Sequence, residues 1–205
     1  MKTLAFIDAS NLFYGGEKSL GWKIDYRKLL AYLKQKYAVR AAYYFGGVEA
    51  HGFRFDFLNC DTVPLDALEV YLKRLIKDTG SEKAGPHLQR VKFYRKLEKF
   101  GYTLVLKPVK SYRQDDGTIR RKANCDVDMA FYLMKEMVNF DRALILSGDG
   151  DFLPVLKYLR RQAKEVLVLA RGPRTAREVR MFAGGNFRDF VRLEKYIRFD
   201  FHKNK

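Results

Sequence analysis

Five aspartates fall in three short stretches, each in a setting where a carboxylate can do chemistry. Asp8 ends the apolar run Leu4 to Ile7. Asp126 and Asp128 stand two apart in Asn124-Cys125-Asp126-Val127-Asp128. Asp149 and Asp151 repeat that spacing in Ser147-Gly148-Asp149-Gly150-Asp151-Phe152. Four or five carboxylates drawn into one pocket cannot all ionise without countercharge. A hard divalent cation, Mg2+ or Mn2+, supplies it, because such ions prefer oxygen ligands. With a phosphodiester in place, that combination activates a water and stabilises charge developing at phosphorus and on the leaving oxygen. Each acid alone has a simpler use. Asp149 or Asp151 could cap the helix that follows, and Asp126 or Asp128 could complement a helix dipole. The argument for chemistry is therefore their convergence.

The charge of the rest of the chain suits such a substrate. Lys plus Arg number 40 against 24 Asp plus Glu, a formal net charge of +16 over 205 residues. That excess points to a polyanion, nucleic acid ahead of an anionic membrane surface. Two basic groups are candidates for the contact. The first is an arm over residues 110–122, turned at Asp115-Asp116-Gly117 as a hairpin, with Lys110, Arg113, Arg120, Arg121 and Lys122. The second is Arg171, Arg174, Arg177 and Arg180, the last three spaced to drift around one face of a short helix. Tyr112 within the arm could stack on an unpaired base; Phe187 reads as strand packing. The cysteines, Cys60 and Cys125, lie far apart and without close-spaced metal-ligand partners, which suits reduced thiols in a cytoplasmic protein. The N-terminal apolar run is too short for a signal peptide. No stretch reaches the roughly 18 apolar residues that a membrane span needs.

The acids need elements to position them. Leu4–Ile7, Val39–Phe45, Thr103–Val109, Ala143–Leu146, Glu165–Ala170 and Phe187–Leu193 read as strands, the last at an edge. Between them, helical spacing follows an Asp25 cap through Leu29, Leu30 and Leu33, and recurs over Asp66–Lys77 and Leu88–Phe100. A helix opening near Asp126 would bury Met129 or Ala130, Leu133, Met134 and Met137. Another follows Phe152, with Pro154 tolerated in its first turn. Gly15-Gly16 reads as a loosening of the chain, and 79–86 as a loop. The order is that of a Rossmann-like three-layer α/β/α domain with a mainly parallel sheet. Right-handed crossovers place the first and fourth of these strands side by side at the switch point, where ligands bind. Asp8, Asp149 and Asp151 then share one edge, joined by Asp126 and Asp128. The expectation is a single domain over residues 1–198, with 48–86 as an insertion or lid and 199–205 as a basic tail.

Three stretches carry a family resemblance: Phe6-Ile7-Asp8-Ala9-Ser10-Asn11, Lys122-Ala123-Asn124-Cys125-Asp126-Val127-Asp128, and Leu146-Ser147-Gly148-Asp149-Gly150-Asp151-Phe152-Leu153-Pro154. In order and spacing they resemble the motifs of the NYN domain, the LabA-like branch of the PIN-like nuclease superfamily. The resemblance implies a metal-dependent ribonuclease. Asp8, Asp126, Asp149 and Asp151 become its catalytic, metal-binding set and Asp128 a fifth ligand or supporting group. Asn11 and Ser147 become polar supports, and Lys122 a phosphate contact. RNA, single-stranded or structured, is the implied partner, with DNA as second candidate and the oligomeric state open, a homodimer included. Ala9 and Ala123 stand where glycine is usual, and Tyr132 where some members carry another acid. The alternative reading is a nucleic-acid-binding regulator that keeps the fold without turnover. A small-phosphoester phosphatase lacks support, since Asp8 is not followed by a second Asp two residues on.

Overall fold

The computed structural model describes residues 1–200, with the side chains of residues 15, 16, 119, 120 and 122 outside the described set. Its frame is six parallel strands in the order β3-β2-β1-β6-β7-β8. These are β1 (Thr3–Asp8), β2 (Val39–Val48), β3 (Tyr102–Pro108), β6 (Arg142–Leu146), β7 (Glu165–Ala170) and β8 (Phe187–Asp189). Between β3 and β6, β4 (Lys110–Arg113) and β5 (Ile119–Lys122) form a separate antiparallel pair, with Lys110 opposite Lys122. The sheet is buried on both faces, which is why its strands read as continuous apolar runs and not as alternation. Along β1, Ala5 and Ile7 enter one core and Leu4 and Phe6 the other.

The first core lies under α3 (Tyr26–Tyr37), α4 (Leu65–Thr79), α5 (Ala84–Phe100) and the terminal turn α9 (Glu194–Ile197). The second lies under α6 (Asp126–Lys135), α7 (Leu153–Arg161) and α8 (Arg177–Ala183). The first and fourth sheet strands are neighbours as expected, β1 pairing with β6 from Thr3↔Arg142 to Ile7↔Leu146. Asp25 caps α3, its carboxylate accepting the Lys28 N–H at 3.0 Å.

Several elements differ from the sequence reading, each for a local reason. The chain does not loosen at Gly15-Gly16. Short helices α1 (Ala9–Asn11) and α2 (Lys18–Leu20) flank a π-helical turn, Leu12–Glu17, that carries both glycines. The fifth helix starts at Ala84 and not Leu88, because Pro86 sits in its first turn and Ala84 is buried against the core. Met134 is exposed, and Met129 and Leu133 alone of the named set are fully buried on α6, which ends at Lys135. The last strand stops at Asp189, whose carboxylate accepts the Val191 N–H at 3.0 Å and starts a 3-10 turn. That turn directs Phe190 and Leu193 into the first core.

β2 runs through Gly46-Gly47 to Val48, past its expected end. Gly47 is required there by close approach. A Cβ on it would lie 2.5 Å from the Cβ of Ala123 and 3.1 Å from a methyl of Val109. Gly47→Ala should therefore cost about 1–3 kcal/mol of stability by overpacking. Adding Ala123→Gly should recover part of that loss, and a double-mutant cycle from urea denaturation measures the coupling.

Candidate active site at the carboxyl edge of the sheet

Asp8, the last residue of β1, is 8% exposed. One carboxylate oxygen accepts the N–H groups of Ser10 (2.9 Å) and Asn11 (3.2 Å), so Asp8 is also the cap of α1. The other accepts the Ser147 hydroxyl at 3.2 Å. Asn11 thus supports Asp8 through its backbone N–H. Burial pushes the Asp8 carboxyl above its ordinary value of 3.8, against the opposing hydrogen bonds of Asn11, Ser147 and Ser10.

Ser147 joins this acid to the next. It follows β6, is buried, and also accepts the Asp149 N–H at 3.2 Å. The half-buried Asp149 accepts the Asp151 N–H at 3.0 Å and caps the 3-10 turn Gly150–Phe152; Asp151 is exposed. Capping and proximity to Asp8 therefore coexist at Asp149. The turn is pressed against the chain ahead of α8. A Cβ on Gly148 would lie 2.6 Å from the Thr175 hydroxyl and 2.9 Å from its Cα. The Gly148 carbonyl accepts the Ala176 N–H at 2.9 Å.

Asp126 and Asp128 open α6, whose start is held by Asn124 accepting the Asp126 N–H at 3.0 Å. The half-buried Cys125 thiol registers the charges around it and is pushed up to about 12. Burial is the main cause, with the Asp128, Asp8 and Asp126 carboxylates adding and Lys107 opposing. Asp128 is ion-paired with Lys107 at 2.5 Å, so a lysine already neutralises it. Among the described residues no three histidine, cysteine or acidic side chains close on a common ion position. The donors are nevertheless carboxylate oxygens with one charge poorly solvated, which is the chemistry a hard divalent cation takes.

The basic residues divide. Lys110 and Arg113 are exposed on the arm, while Arg121 pairs with Glu49 at 3.5 Å. The side chains of Arg120 and Lys122 lie outside the described residues. Arg171 is not a free phosphate contact, since it pairs with Asp189 at 3.4 Å. Arg174, Arg177 and Arg180 are exposed but do not share one helix. Arg174 ends the 3-10 turn Gly172–Arg174, and the other two lie on α8.

Two neighbours of the acids were absent from the sequence reading. Lys107 sits near the end of β3, on the same edge, and its place inside a strand hid it. Glu178 on α8 brings a carboxylate oxygen to within 2.6 Å of where a Gly150 Cβ would stand, between Asp149 and Asp151. In sequence it stands among Arg174, Arg177 and Arg180, where the excess of cations hides a single acid.

Residues 2–191 match the NYN domain, and the chain belongs to that family. It is 24% identical over 179 residues to the "Low amplitude and bright protein LabA" of Synechococcus elongatus, covering 85% of this chain and 76% of that one. In structure it is similar to a Vibrio parahaemolyticus protein of unknown function, with TM-score 0.63 and 19% identity, over 97% of this chain and 96% of the other. Among the described residues no helix is long and apolar enough to cross a membrane.

The Asp8 shift sets a pH dependence. Because its folded value is raised, the group favours the fold below the unfolded value of 3.8 and opposes it increasingly as pH climbs through the folded value. Asp8→Asn removes that titration while keeping an acceptor for the Ser10 and Asn11 N–H groups. Chemical denaturation in chelator, across about pH 3 to 7, should show the variant gaining stability relative to wild type as pH rises.

Proposed function

We propose that this protein is a metal-dependent ribonuclease that hydrolyses phosphodiester bonds at the carboxyl edge of its sheet. The observation that carries this reading is the buried carboxylate of Asp8, tied through Ser147 to the Asp149–Asp151 turn, with Asp8 and Asp126 both acting on the Cys125 thiol. Membership of the NYN family supports it, as does the charge of +16. Asp8, Asp126, Asp149 and Asp151 would hold Mg2+ or Mn2+. When bound, the cation lowers the pKa of a coordinated water and stabilises charge on the phosphoryl oxygens.

The chain's own residues have separable duties. Asp8 is fixed by three hydrogen bonds and cannot swing, so it sets the position of the donor set. Asp149 and Asp151 stand in a turn with little freedom, since Gly148 is packed against Thr175. Lys107 holds Asp128 and places a cation close to the acids, where it can meet a phosphate oxygen. Lys110 and Arg113 on one side, and Arg174, Arg177 and Arg180 on the other, supply exposed charge for the backbone of the strand.

A second reading rests on a specific observation. Among the described residues the acids form no closed three-ligand set, and Asp128 already has a cation. A regulator that binds nucleic acid without turnover would need no more than that. Metal dependence separates the two, because charge alone gives binding in either case.

The deciding experiment is cleavage of labelled single-stranded RNA and matched DNA with magnesium or manganese, wild type beside Asp149→Asn. The expected result is metal-dependent cutting of RNA that falls by about 10²-fold or more in the variant. Manganese should also raise the melting temperature of wild type over chelator, by linkage, and raise that of Asp149→Asn less. No cutting, with salt-sensitive binding indifferent to chelator and to the substitution, would establish the regulator instead.

A further inference from the structure

Residues 49–64, between β2 and α4, form no helix or strand and make a strap beside the carboxyl end of β3. Its two roots are fixed. The Tyr71 hydroxyl donates to the His51 carbonyl at 2.8 Å, and the His51 and His87 rings are in contact. At the far root the Val63 N–H donates to the Leu106 carbonyl at 3.1 Å, and the Thr62 hydroxyl accepts the Leu106 N–H at 2.8 Å. Phe53 and Phe55 stack at 6.1 Å between centroids and pack against the core, which accounts for both.

Phe57 and Leu58 at the tip have no such account. They are 74% and 84% exposed, on a segment whose other phenylalanines are anchored. Facing the strap is the β4–β5 arm, where Tyr112 is 51% exposed. Among the described residues neither the Phe57 nor the Tyr112 ring is in contact with another ring. Strap and arm bound a groove of about 1100 Å³ that Phe57 and Tyr112 both line, together with the cations Arg54, Lys107 and Lys110. At its inner end the groove reaches Asp128.

We propose that this groove is a binding site for an unpaired nucleotide of a single-stranded nucleic acid, its base stacked on Tyr112 and Phe57. The proposal rests on the nuclease reading for its orientation. The strand would run along the groove towards Asp128 and deliver the neighbouring phosphate to the acids. Unstacked aromatic faces bind any base, because every base has a π-face, and cations beside them take the phosphates. A rigid duplex has no free base to offer and gains nothing from these rings. Lys107 is paired with Asp128, and Asp61 faces Lys135 at 3.9 Å, so Arg54 and Lys110 carry the excess positive charge that a phosphate chain requires and an apolar peptide does not. The volume lies just above the roughly 300–1,000 Å³ usual for ligand pockets, so a nucleotide with its flanking phosphates can enter.

The test uses the full chain carrying Asp149→Asn, so that a substrate stays uncut. The probe is a short single-stranded oligonucleotide with one 2-aminopurine, as RNA and as DNA, against a duplex of the same sequence. Binding should quench the fluorophore by stacking. Tyr112→Ala and Phe57→Ala should each weaken single-strand binding about tenfold and remove quenching, with duplex binding unchanged. Tyr112→Phe keeps the ring and should keep both. Both side chains are exposed, and an unchanged melting temperature confirms the fold. The RNA and DNA arms show which sugar the groove accepts. Unchanged affinity and fluorescence in both alanine variants would overturn the groove and leave the nuclease reading standing, since wild-type cleavage is measured separately. Equal losses on single strand and duplex would also overturn it, by showing a general contact and no stacking site.

Discussion

Everything at the sheet's carboxyl edge is arranged around one poorly solvated charge, the Asp8 carboxylate. Burial disfavours its ionised form, and two backbone N–H groups and one hydroxyl oppose that effect without cancelling it. The hydroxyl has structural consequences beyond the acid. Ser147 donates to Asp8 and accepts from the Asp149 backbone, so the ends of β1 and β6 are tied by the residue that starts the acidic turn. A residual preference for more positive charge is thereby built into a rigid place. Acids on a mobile loop would simply separate; these are held where the sheet puts them.

The fold was legible because its information is local. Both cores alternate along strands short enough to be read as apolar runs, and Asp25 announced its helix through a capping bond to its own third neighbour. The same locality explains the misreadings. Nothing in the sequence near Phe187 says that Phe190 must turn inwards, because the reason is a distant core in which Phe190 stacks on Trp22 at 6.1 Å. Met134 fits a helical apolar face by spacing, and only the end of α6 at Lys135 and the position of its neighbours leave it exposed.

At the candidate site the division is similar. That Asp8 and the Asp149–Asp151 turn share the edge followed from strand order, since a parallel sheet sends every strand's carboxyl end the same way. Which charges are already paired did not follow. Arg171 looked like part of a basic run and is bound to Asp189, eighteen residues on in sequence and beside it across β7 and β8. Lys107 looked like a strand residue and neutralises Asp128. Charge counting overstates free positive surface wherever a cation has such a long-range partner.

The strap and the arm show how additions can be carried on a frame that tolerates little change. Both leave from the end of the β2–β3 pair, where Gly47 has no room for a side chain because Ala123 packs on it. The Gly47 carbonyl accepts the Tyr94 hydroxyl at 2.8 Å, which ties the same point to α5. The Val48 carbonyl accepts the Val109 N–H at 2.9 Å, just ahead of the arm, and Glu49 holds Arg121 in the arm's returning strand. The roots of both segments are therefore fixed relative to β1 and its aspartate, while their tips have few partners. A change of residue type at Phe57 or Tyr112 disturbs none of these bonds, whereas one at Gly47 meets Ala123 at once. Substrate preference can vary at the tips without moving the carboxylates, and that separation gives the exposed aromatic rings physical room to act.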